Sequence, residues 1–420
     1  MKLNKNKLRR QLKAVQIWKS NRGKGTIEAA TGFGKSFIAM ILIRKLLKKR
    51  PFAKILIVVP SEFLKRQWIK NLDAAGYNLV EVTIINTLIT RHKENYDFLI
   101  LDEIHRYGAE KFRLVFNLIS YNYILGLTAT YQRYDNMHSI INEYCPIIDK
   151  ISLKECLKNS WVSDLRIYNF GITMSPEEKL EYETINDKFN YYFSFFAHDF
   201  SKAIACIKDQ KARDAFIKDN PGLKNQDIMI KAINFSKTLQ KRKSFYLTPQ
   251  SKLDVIKTIL EKFHDLKIIT FSEYTTTADT ITKLFPYRSF SYHSKKSSKR
   301  LKEDMRKFIR GEYTVINTSK ALDEGIDIPQ IEMAIIHSGN ATKRQAIQRM
   351  GRAIRFEKGK IALIINLYLK DTRDEYALSE RLQNIPNTYW IQDIEDIEYY
   401  PNEKRAIPYN YGIPFKLNLS

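Results

Sequence analysis

Residues 29–36, with the sequence AATGFGKS, have the residue types and spacing of a loop that binds nucleotide phosphates. The loop follows a short apolar element around Thr26 and Ile27 and precedes an apolar-periodic segment, Phe37 to Ile43. That order predicts the strand, loop and helix context that a phosphate-binding loop requires. Backbone N–H groups of small residues can close around phosphates, and the N-terminus of the following helix adds positive potential.

Two side chains of this loop have defined chemical tasks. Lys35 is placed to reach the terminal phosphates, and the Ser36 hydroxyl is placed to ligate Mg²⁺. Ala29 stands where the strict pattern has its first glycine, so a chance Gly-Lys-Ser turn is the alternative interpretation. The nucleotide contacts predicted for the loop are Thr31, Gly32, Gly34, Lys35 and Ser36.

Two acidic residues, Asp102 and Glu103, follow the apolar run Tyr96 to Leu101, which predicts a buried strand. In a nucleotide-hydrolysing fold, an acid at this strand end holds Mg²⁺, and we assign that task to Asp102. Glu103 is then placed to act as the general base on the attacking water. Two adjacent acids can also simply stabilise the start of a helix. The phosphate loop upstream favours the catalytic interpretation.

The motifs of this chain follow one another in the order found in superfamily-two helicases. Beyond the phosphate loop and the Asp102-Glu103-Ile104-His105 motif, they are Val59 to Trp68 (motif Ia), Gly126 to Thr130 (motif III), Ile269 to Glu273 (motif IV), Ala321 to Pro329 (motif V) and Gln348 to Arg355 (motif VI). The chain resembles this superfamily over roughly residues 8 to 370. The resemblance implies two RecA-like domains that share one ATP site.

Within the superfamily, the chain resembles the XPB and UvsW branch, which includes phage branch-migration helicases. The similarity rests on Val-Pro-Ser with Gln67-Trp68, on Thr-Ala-Thr followed by Arg133 and Asp135, and on the string Asp323 to Pro329. Tyr131 stands where this branch usually has proline.

The resemblance also implies roles for residues of the second half. Arg352 and Arg355 correspond to arginine fingers that neutralise charge on the transferred phosphoryl group, and Gln348 lines the same cleft. Gly325 and Asp327 correspond to nucleotide-sensing positions. Contacts with a nucleic-acid backbone are implied for Ser61, Thr87, Ser272, Thr318 and Ser319. Such contacts carry no sequence information, which suits a motor that moves along any sequence.

Gln11 matches the glutamine that precedes the phosphate loop in this family. Its amide can both donate and accept hydrogen bonds, so it can bind the adenine edge and favour ATP. Arg9-Arg10 replace the arginine and proline expected just before it. Gln11 could instead be a surface residue of an amphipathic helix.

Composition favours a polyanionic partner. The 420 residues include 70 Lys and Arg against 46 Asp and Glu, a net charge of +24. A merely basic soluble protein would show the same balance. The basic N-terminal run from Lys2 to Lys24 is not followed by a long apolar segment, and no run approaches membrane-spanning length. The three cysteines have neither an even count nor a zinc-like spacing, which indicates a reducing, cytoplasmic environment. The resemblance implies the cytoplasm of a bacterial or phage-infected cell.

The motifs divide the chain into an α/β fold with two RecA-like parallel-sheet domains and a helical insertion between them. The predicted units are RecA-like domain 1 (residues 1–150), a linker and helical insertion (151–247), RecA-like domain 2 (248–385) and a C-terminal tail (386–420). Strands are predicted at Lys54 to Val59, Val80 to Ile85, Phe98 to Leu101, Tyr123 to Leu127, Lys267 to Phe271, Tyr313 to Asn317, Met333 to His337 and Ile361 to Leu367.

The insertion, Ser175 to Lys243, combines helical spacing with an aromatic run from Phe189 to Phe196. Such rings can stack on bases, but more often a helix packs them into a core. Basic residues that follow, among them Lys241 and Arg242, could contact a phosphate backbone or form a solvated helix face.

The sequence therefore predicts an ATP- and Mg²⁺-dependent DNA helicase or translocase, a monomer without membrane contact, that remodels branched DNA such as forks, junctions and R-loops. The branched substrate rests on the resemblance alone. A duplex translocase that does not separate strands and an RNA helicase are the alternatives. A regulator without catalytic activity would require a broken site, and a small-molecule kinase would not need motifs IV to VI.

Overall fold

The computed structural model describes residues 4–131, 137–319, 331–337, 361–382 and 385–398 of the chain. Two sheets dominate this part, and every neighbouring pair of strands in both is parallel. Parallel strands need crossover connections, and the helices on both sides bury both sheet faces. The predicted α/β class with two parallel-sheet domains is confirmed.

The first sheet has six described strands in the order β3-β2-β4-β5-β1-β6. They are β1 (Lys24–Ala29), β2 (Ile55–Val59), β3 (Glu81–Ile84), β4 (Glu94–Asp102), β5 (Ile119–Thr128) and β6 (Ile147–Ile151). Its helices are α1 (Lys5–Ser20), α2 (Lys35–Lys49), α3 (Glu62–Ala74), α4 (Ile85–Leu88), α5 (Val115–Leu118), α6 (His138–Tyr144) and α7 (Leu153–Lys158). The strand β2, with the sequence ILIVV, is buried throughout, as a central parallel strand requires.

The second sheet has seven described strands in the order β13-β7-β12-β11-β8-β10-β9. They are β7 (Asp164–Ile172), β8 (Ile268–Ser272), β9 (Ser289–Tyr292), β10 (Val315–Ser319), β11 (Met333–Ile336), β12 (Ile361–Leu369) and β13 (Thr388–Ile391). The helices that accompany it are α12 (Gln250–Lys262), α13 (Thr275–Leu284), α14 (Ser298–Arg310) and α15 (Arg373–Leu382). Two clusters of buried side chains fill the two faces of this sheet.

The insertion is helical, as predicted, and has its own core. Its helices are α8 (Pro176–Phe195), α9 (Phe200–Lys208), α10 (Gln210–Asp219) and α11 (Asn225–Leu247). Ser175 and Glu178 form a capping box that starts α8, with Pro176 in the first turn. Glu178 also accepts a hydrogen bond from the Ser251 backbone N–H at 3.0 Å, which joins the insertion to the start of α12.

The sequence-based boundaries of the second domain differ from the observed sheet. Residues Asp164–Ile172, assigned to the linker, form β7 between β12 and β13, and Thr388–Ile391, assigned to the tail, form β13 at the edge of the same sheet. The polar residues Arg166 and Asn169 interrupt the apolar run of β7, although both are buried. The Asn169 side-chain oxygen accepts a hydrogen bond from Asn366 of β12 at 2.8 Å, whereas its amide nitrogen is buried without a partner in the described part of the chain.

Within the described residues, no helix is both long and apolar enough to cross a membrane.

Candidate ATP site and nucleic-acid contacts

Three adjacent strands bring the phosphate loop and two further motifs to one sheet edge. The neighbours β4, β5 and β1 are parallel, so their carboxyl ends lie together. Asp102 at the end of β4 pairs with Leu127 of β5, and Thr128 pairs with Glu28 at the end of β1. The loop after β1, the acids after β4 and the threonine that ends β5 therefore meet, as ligand sites of open α/β sheets do.

The phosphate loop has the backbone conformation that its glycines allow. Gly34 has φ 98°, in the left-handed region, and immediately precedes α2. A Cβ atom there would lie 2.7 Å from Nε2 of Gln11, so any larger residue would collide with that amide. The Lys35 ammonium lies across the loop and donates to the Ala29 carbonyl at 3.2 Å.

Gln11 is buried on α1, where it packs against this loop. Its side chain is 5% exposed, and Nε2 donates to the Phe33 carbonyl at 2.9 Å. The surface interpretation of Gln11 is therefore wrong. Because the trans peptide points its C=O and N–H in opposite directions, the bond to Phe33 turns the Gly34 N–H away from α1. The carboxamide oxygen of Gln11 can still accept a hydrogen bond from a nucleobase.

Asp102 is a buried carboxylate whose oxygens accept directed hydrogen bonds. The Trp68 indole N–H donates to Oδ2 at 2.8 Å, and the Glu103 backbone N–H donates to Oδ1 at 3.0 Å. Burial raises the pKa of Asp102, while these two donors and the positive charge of Lys35 oppose that rise. The parallel order β4-β5-β1 places the phosphate loop and this acid at the same sheet edge.

Glu103 belongs to a connected polar set. It has φ 51° and ψ 51°, an uncommon backbone conformation for a residue with a side chain. Its Oε2 lies 3.3 Å from Nδ1 of the buried His105, and the same nitrogen lies 2.9 Å from Oγ1 of Thr128. The Thr128 hydroxyl also lies 2.8 Å from the Thr130 carbonyl. The acids after β4 and the threonines after β5 thus form one hydrogen-bonded unit.

The interpretation of the two acids as a simple helix start is not supported. A short 3-10 turn, Ile104–Gly108, does follow Glu103, but the Glu103 side chain makes no capping hydrogen bond to it in the described structure.

The residues at this edge suit magnesium with a nucleotide. Mg²⁺ is usually held by one or two carboxylates together with substrate phosphates, rather than by a cage of protein ligands. Asp102 and Ser36 could supply a carboxylate and a hydroxyl. Among the residues that the structure describes, no cluster of three or more His, Cys, Asp or Glu could hold a metal. Thr31 Oγ1 is buried in the phosphate loop without a hydrogen-bond partner in the described part of the chain, which fits a loop shaped for a ligand.

The predicted nucleic-acid contacts of the second sheet lie together but do not all offer free donors. Ser272 ends β8 and pairs with Ser319 at the end of β10. Oγ of Ser272 lies 3.1 Å from the carbonyl oxygens of Tyr274 and Thr318. Oγ1 of Thr318 lies 3.0 Å from the Tyr292 carbonyl. A hydroxyl has one proton to donate, so these two side chains stabilise the sheet edge here instead of facing solvent.

The predicted contacts in the first domain and the insertion lie in different environments. Ser61 accepts a hydrogen bond from the Leu64 N–H at the start of α3, and Thr87 is exposed on α4. Lys241 is exposed on α11. Arg242 lies 4.4 Å above the Phe189 ring and donates to the Tyr246 hydroxyl at 3.0 Å, so it packs inside the insertion.

The aromatic run of the insertion is mainly core. Phe189, Phe196 and Phe235 are buried together, and Phe193 stacks on Phe235 with ring centroids 5.5 Å apart. The core interpretation of this run is therefore confirmed for these rings. Tyr191 is the exception, because 59% of it is exposed.

Several predicted site residues lie outside the described residues, namely Gly325, Asp327, Gln348, Arg349, Arg352 and Arg355. Arg133 and Asp135, which support the branch resemblance, also lie outside them. Conversely, sequence reasoning did not assign the contacts of Trp68, His105 and Thr128 with the two acids. Each of the three does fall inside a recognised motif, and that was the available signal.

Together, the fold and the site define a two-domain, nucleotide-hydrolysing protein of the RecA-like class. The family described as type III restriction enzyme, res subunit, matches residues 4–91 and 78–133, and the helicase conserved C-terminal domain matches residues 251–357. The chain is 30% identical over 395 residues to the DNA 3'-5' translocase XPB2 of Sulfurisphaera tokodaii, which covers 88% of this chain and 83% of that protein.

Two more distant similarities agree. An uncharacterized ATP-dependent helicase of Bacillus subtilis, YqhH, is 22% identical over 432 residues, 87% of this chain and 75% of that protein. The crystal structure of the Pyrococcus furiosus Hef helicase domain matches with a TM-score of 0.57 and 16% identity, over 88% of this chain and 97% of that one, which supports the fold. The chain belongs to the superfamily-two helicases, in the XPB-like branch, and is a nucleic-acid-dependent ATPase.

Proposed function

We propose that this protein is an ATP- and Mg²⁺-dependent DNA translocase that remodels branched DNA. The observation that carries the ATPase chemistry is that the strand order brings Lys35, Asp102, Glu103 and Thr128 to one sheet edge. DNA is favoured over RNA because the most similar curated relative described above is named as a DNA translocase, and we propose its 3'-5' direction for this chain. The net charge of +24 supports a polyanionic partner.

In the proposed site, this chain's residues divide the work. Bound Mg²⁺ supplies charge neutralisation on the phosphates. Lys35 would bind the terminal phosphates, Ser36 and Asp102 would hold the ion, and Glu103 would take a proton from the attacking water. The peptide N–H groups of the phosphate loop orient the nucleotide, and Gln11 offers an acceptor to its base.

From the motif resemblance we propose that Arg352 and Arg355 complete the site, and that Gln348, Gly325 and Asp327 serve the same nucleotide cleft. ATP then favours a closed cleft, because Lys35 and the two arginines contact the phosphates together only when the domains meet. Hydrolysis removes that differential contact, and the cleft opens. Alternating contacts of the two domains with one strand would move the protein along it, with Ser61, Thr87 and Ser319 as proposed backbone contacts.

The proposed substrate is tested by the rate of ATP hydrolysis on matched nucleic acids. Single-stranded, duplex, forked and four-way DNA and the corresponding RNA should be compared at one salt concentration. We expect the highest stimulation on forked or four-way DNA. Equal stimulation by plain duplex would instead support a duplex translocase that does not separate strands, and preference for RNA would support an RNA helicase.

The insertion is the proposed contact with branched DNA. The exposed lysines Lys237, Lys241 and Lys243 of α11 can contact phosphates, whereas Arg242 is engaged within the insertion. Replacing the three lysines with alanine should weaken fork unwinding and preserve ATPase stimulation by single strands. The matched control replaces Lys202, Lys208 and Lys211 with alanine. These substitutions remove the same number of positive charges from α9 and α10. Equal loss in both triple variants would contradict a specific role for α11.

Binding should also depend strongly on salt. Release of counterions predicts that log affinity falls against log salt with a slope of about −0.9 per phosphate contact for duplex DNA or about −0.7 for a single strand. A flat titration would point to a protein or small-molecule partner. We further propose that the protein is cytoplasmic, because its three cysteines are free and buried, and that it acts as a monomer.

A further inference from the structure

Helix α1 holds two consecutive carbonyls of the phosphate loop. Lys7 Nζ donates to the Gly32 carbonyl at 3.0 Å, and Gln11 Nε2 donates to the Phe33 carbonyl at 2.9 Å. Lys7 and Gln11 are four residues apart and therefore share one face of the helix. Carbonyl oxygens repel phosphates, so a loop that binds phosphates needs them turned outward. Lys7 and Gln11 supply the donors that do this.

Lys7 has a second partner outside the loop. The same ammonium donates to the Trp161 carbonyl at 2.7 Å, the shortest hydrogen bond that Lys7 makes. The rings of Trp161 and Phe33 lie beside each other, with centroids 5.4 Å apart. Burial lowers the pKa of Lys7. A partly desolvated ammonium thus joins Gly32 to Trp161 through two backbone oxygens.

Arg10 fixes the same helix to the segment that leaves the first sheet. Its guanidinium binds both carboxylate oxygens of Asp149 at 2.7 Å, and its Nε donates to Glu155 of α7 at 3.1 Å. Such a bidentate ion pair fixes the relative orientation of the two side chains in addition to pairing their charges. The face of α1 that contacts the phosphate loop is therefore held in register with α7.

Residues 153–163, which comprise α7 and the connection to β7, contact both domains, and we call them the hinge segment. Leu153 and Leu157 of α7 pack against the core of the first domain and also against one core cluster of the second sheet. Trp161 lies in the first core, and β7 of the second sheet begins at Asp164. A shift of the hinge segment would therefore displace the start of β7 in the second domain.

We propose that Lys7 is a positioning residue that couples phosphate binding in the loop to the hinge segment. When phosphates enter, the loop adjusts around them, and the Gly32 carbonyl moves with its peptide. The Lys7 ammonium binds the Gly32 and Trp161 carbonyl oxygens at once. Displacement of the Gly32 carbonyl therefore alters the position at which the ammonium can still bind the Trp161 carbonyl. The coupling is a differential contact between two states of the loop, which is what a conformational change requires.

The test measures amide hydrogen exchange in the full-length protein with and without a nonhydrolysable ATP analogue and Mg²⁺. In the wild type, nucleotide should change the exchange rate of backbone amides in residues 153–163 several-fold. Lys7→Met keeps the aliphatic stem but removes the donors, and it should abolish that change. Nucleotide should bind more weakly, because the Gly32 carbonyl loses its donor, so exchange is compared at nucleotide concentrations that saturate each protein. Lys7→Arg should restore part of the response, because a guanidinium can reach both carbonyls.

Two further variants separate coupling from folding. Lys13→Met makes the same replacement at an exposed position of α1 and should keep the wild-type response. Glu155→Gln weakens the Arg10 contact without touching the phosphate loop, and it should reduce the response at unchanged nucleotide affinity. The proposal is overturned if Lys7→Met keeps the full response, if the wild type shows none, or if Lys7→Met loses nucleotide binding altogether. None of these measurements involves nucleic acid, so they stand apart from the test of the proposed substrate.

Discussion

The indole N–H of Trp68 donates to Oδ2 of Asp102 at 2.8 Å, which links the helix of motif Ia to the acid proposed to hold magnesium. Both side chains are buried, so water competes little with this bond. A hydrogen bond to a charged group in such surroundings is among the stronger single interactions in a protein. Trp68 therefore helps keep Asp102 ionised against the burial that raises its pKa.

The first prediction is that Trp68→Phe weakens the use of Mg²⁺ at low pH. Losing a hydrogen bond to a carboxylate costs roughly 1.5–3 kcal/mol, which corresponds to about 1–2 pH units. Because the pKa of Asp102 would rise further, the acidic limb of the kcat/KM profile should shift to higher pH, and half-saturation by Mg²⁺ should need more metal.

Trp18→Phe is the matched control for this variant. Trp18 is also buried in the first domain, and its indole donates to the Ile124 carbonyl at 2.9 Å. Both variants should lose some thermal stability, but the acidic limb should move only when Trp68 is replaced. An unchanged limb in Trp68→Phe would mean that the bond does not tune Asp102.

The second prediction separates binding from chemistry at the ATP site. Lys35→Ala should abolish ATP turnover, because Lys35 is the fixed positive charge on the terminal phosphates. Glu103→Gln should bind ATP as well as the wild type and fail to hydrolyse it, since only the general base is lost. Nucleotide affinity and steady-state turnover with DNA present are the measurements. Near wild-type turnover in either variant would refute the site assignment.

Sequence patterns predicted the chemistry of this site because the phosphate loop and the two acids are each continuous in the chain. They did not predict the bond between Trp68 and Asp102, since the partners are 34 residues apart and only the packing of α3 against the sheet brings them together. Likewise, β7 was missed because its buried Arg166 and Asn169 look like surface residues until their partners are known. Periodicity identifies local elements, but it does not reveal the distant partners of buried polar groups such as Asp102 and the Asn169 side-chain oxygen.

The third prediction concerns the contact between the acids and the threonines after β5. Thr128→Val removes the hydroxyl that lies 2.9 Å from Nδ1 of His105 and leaves a similar shape. ATP binding should persist, while nucleic-acid-stimulated turnover should fall by roughly ten-fold, the equivalent of about 1.4 kcal/mol for one hydrogen bond.

Thr26→Val provides the comparison for this change. Thr26 is buried on the adjacent strand β1, and its hydroxyl donates to the Cys145 carbonyl at 2.7 Å. It should lose stability with little effect on stimulation. Equal loss of stimulation in both variants would argue against a specific coupling through Thr128.

The fourth prediction concerns the arginines of motif VI. Arg352→Ala and Arg355→Ala should each reduce turnover, with about 10³–10⁵-fold as the range known for arginine fingers. Nucleotide and DNA affinity should change little, because the charge that these side chains neutralise develops mainly in the transition state. Single-turnover hydrolysis and equilibrium binding distinguish the two effects. Retained turnover in both variants would contradict an ATP site that is shared between the two domains.

The fifth prediction is a loss of stability at mildly acidic pH caused by His337. This side chain follows β11, is fully buried, and neither ring nitrogen has a hydrogen-bond partner in the described part of the chain. Burial, with a smaller contribution from the positive charge of Lys252, lowers the pKa of His337 to about 3. Lys252 itself is held by Asp374 at 2.6 Å, and it donates to the His337 carbonyl at 3.3 Å.

Between about pH 6.5 and 3, the unfolded chain therefore binds a proton at this position that the folded protein does not. The free energy of unfolding must fall as the pH falls through that window, by about 1.4 kcal/mol at pH 5.5 relative to pH 8 from this residue alone. The measurement is the unfolding midpoint in urea at both pH values, for the wild type and for His337→Leu. Leucine cannot take up a proton, so its variant should lose about 1.4 kcal/mol less than the wild type between the two pH values. An identical loss in both proteins would show that His337 is protonated in the folded state or hydrogen-bonded to a group that keeps its pKa normal.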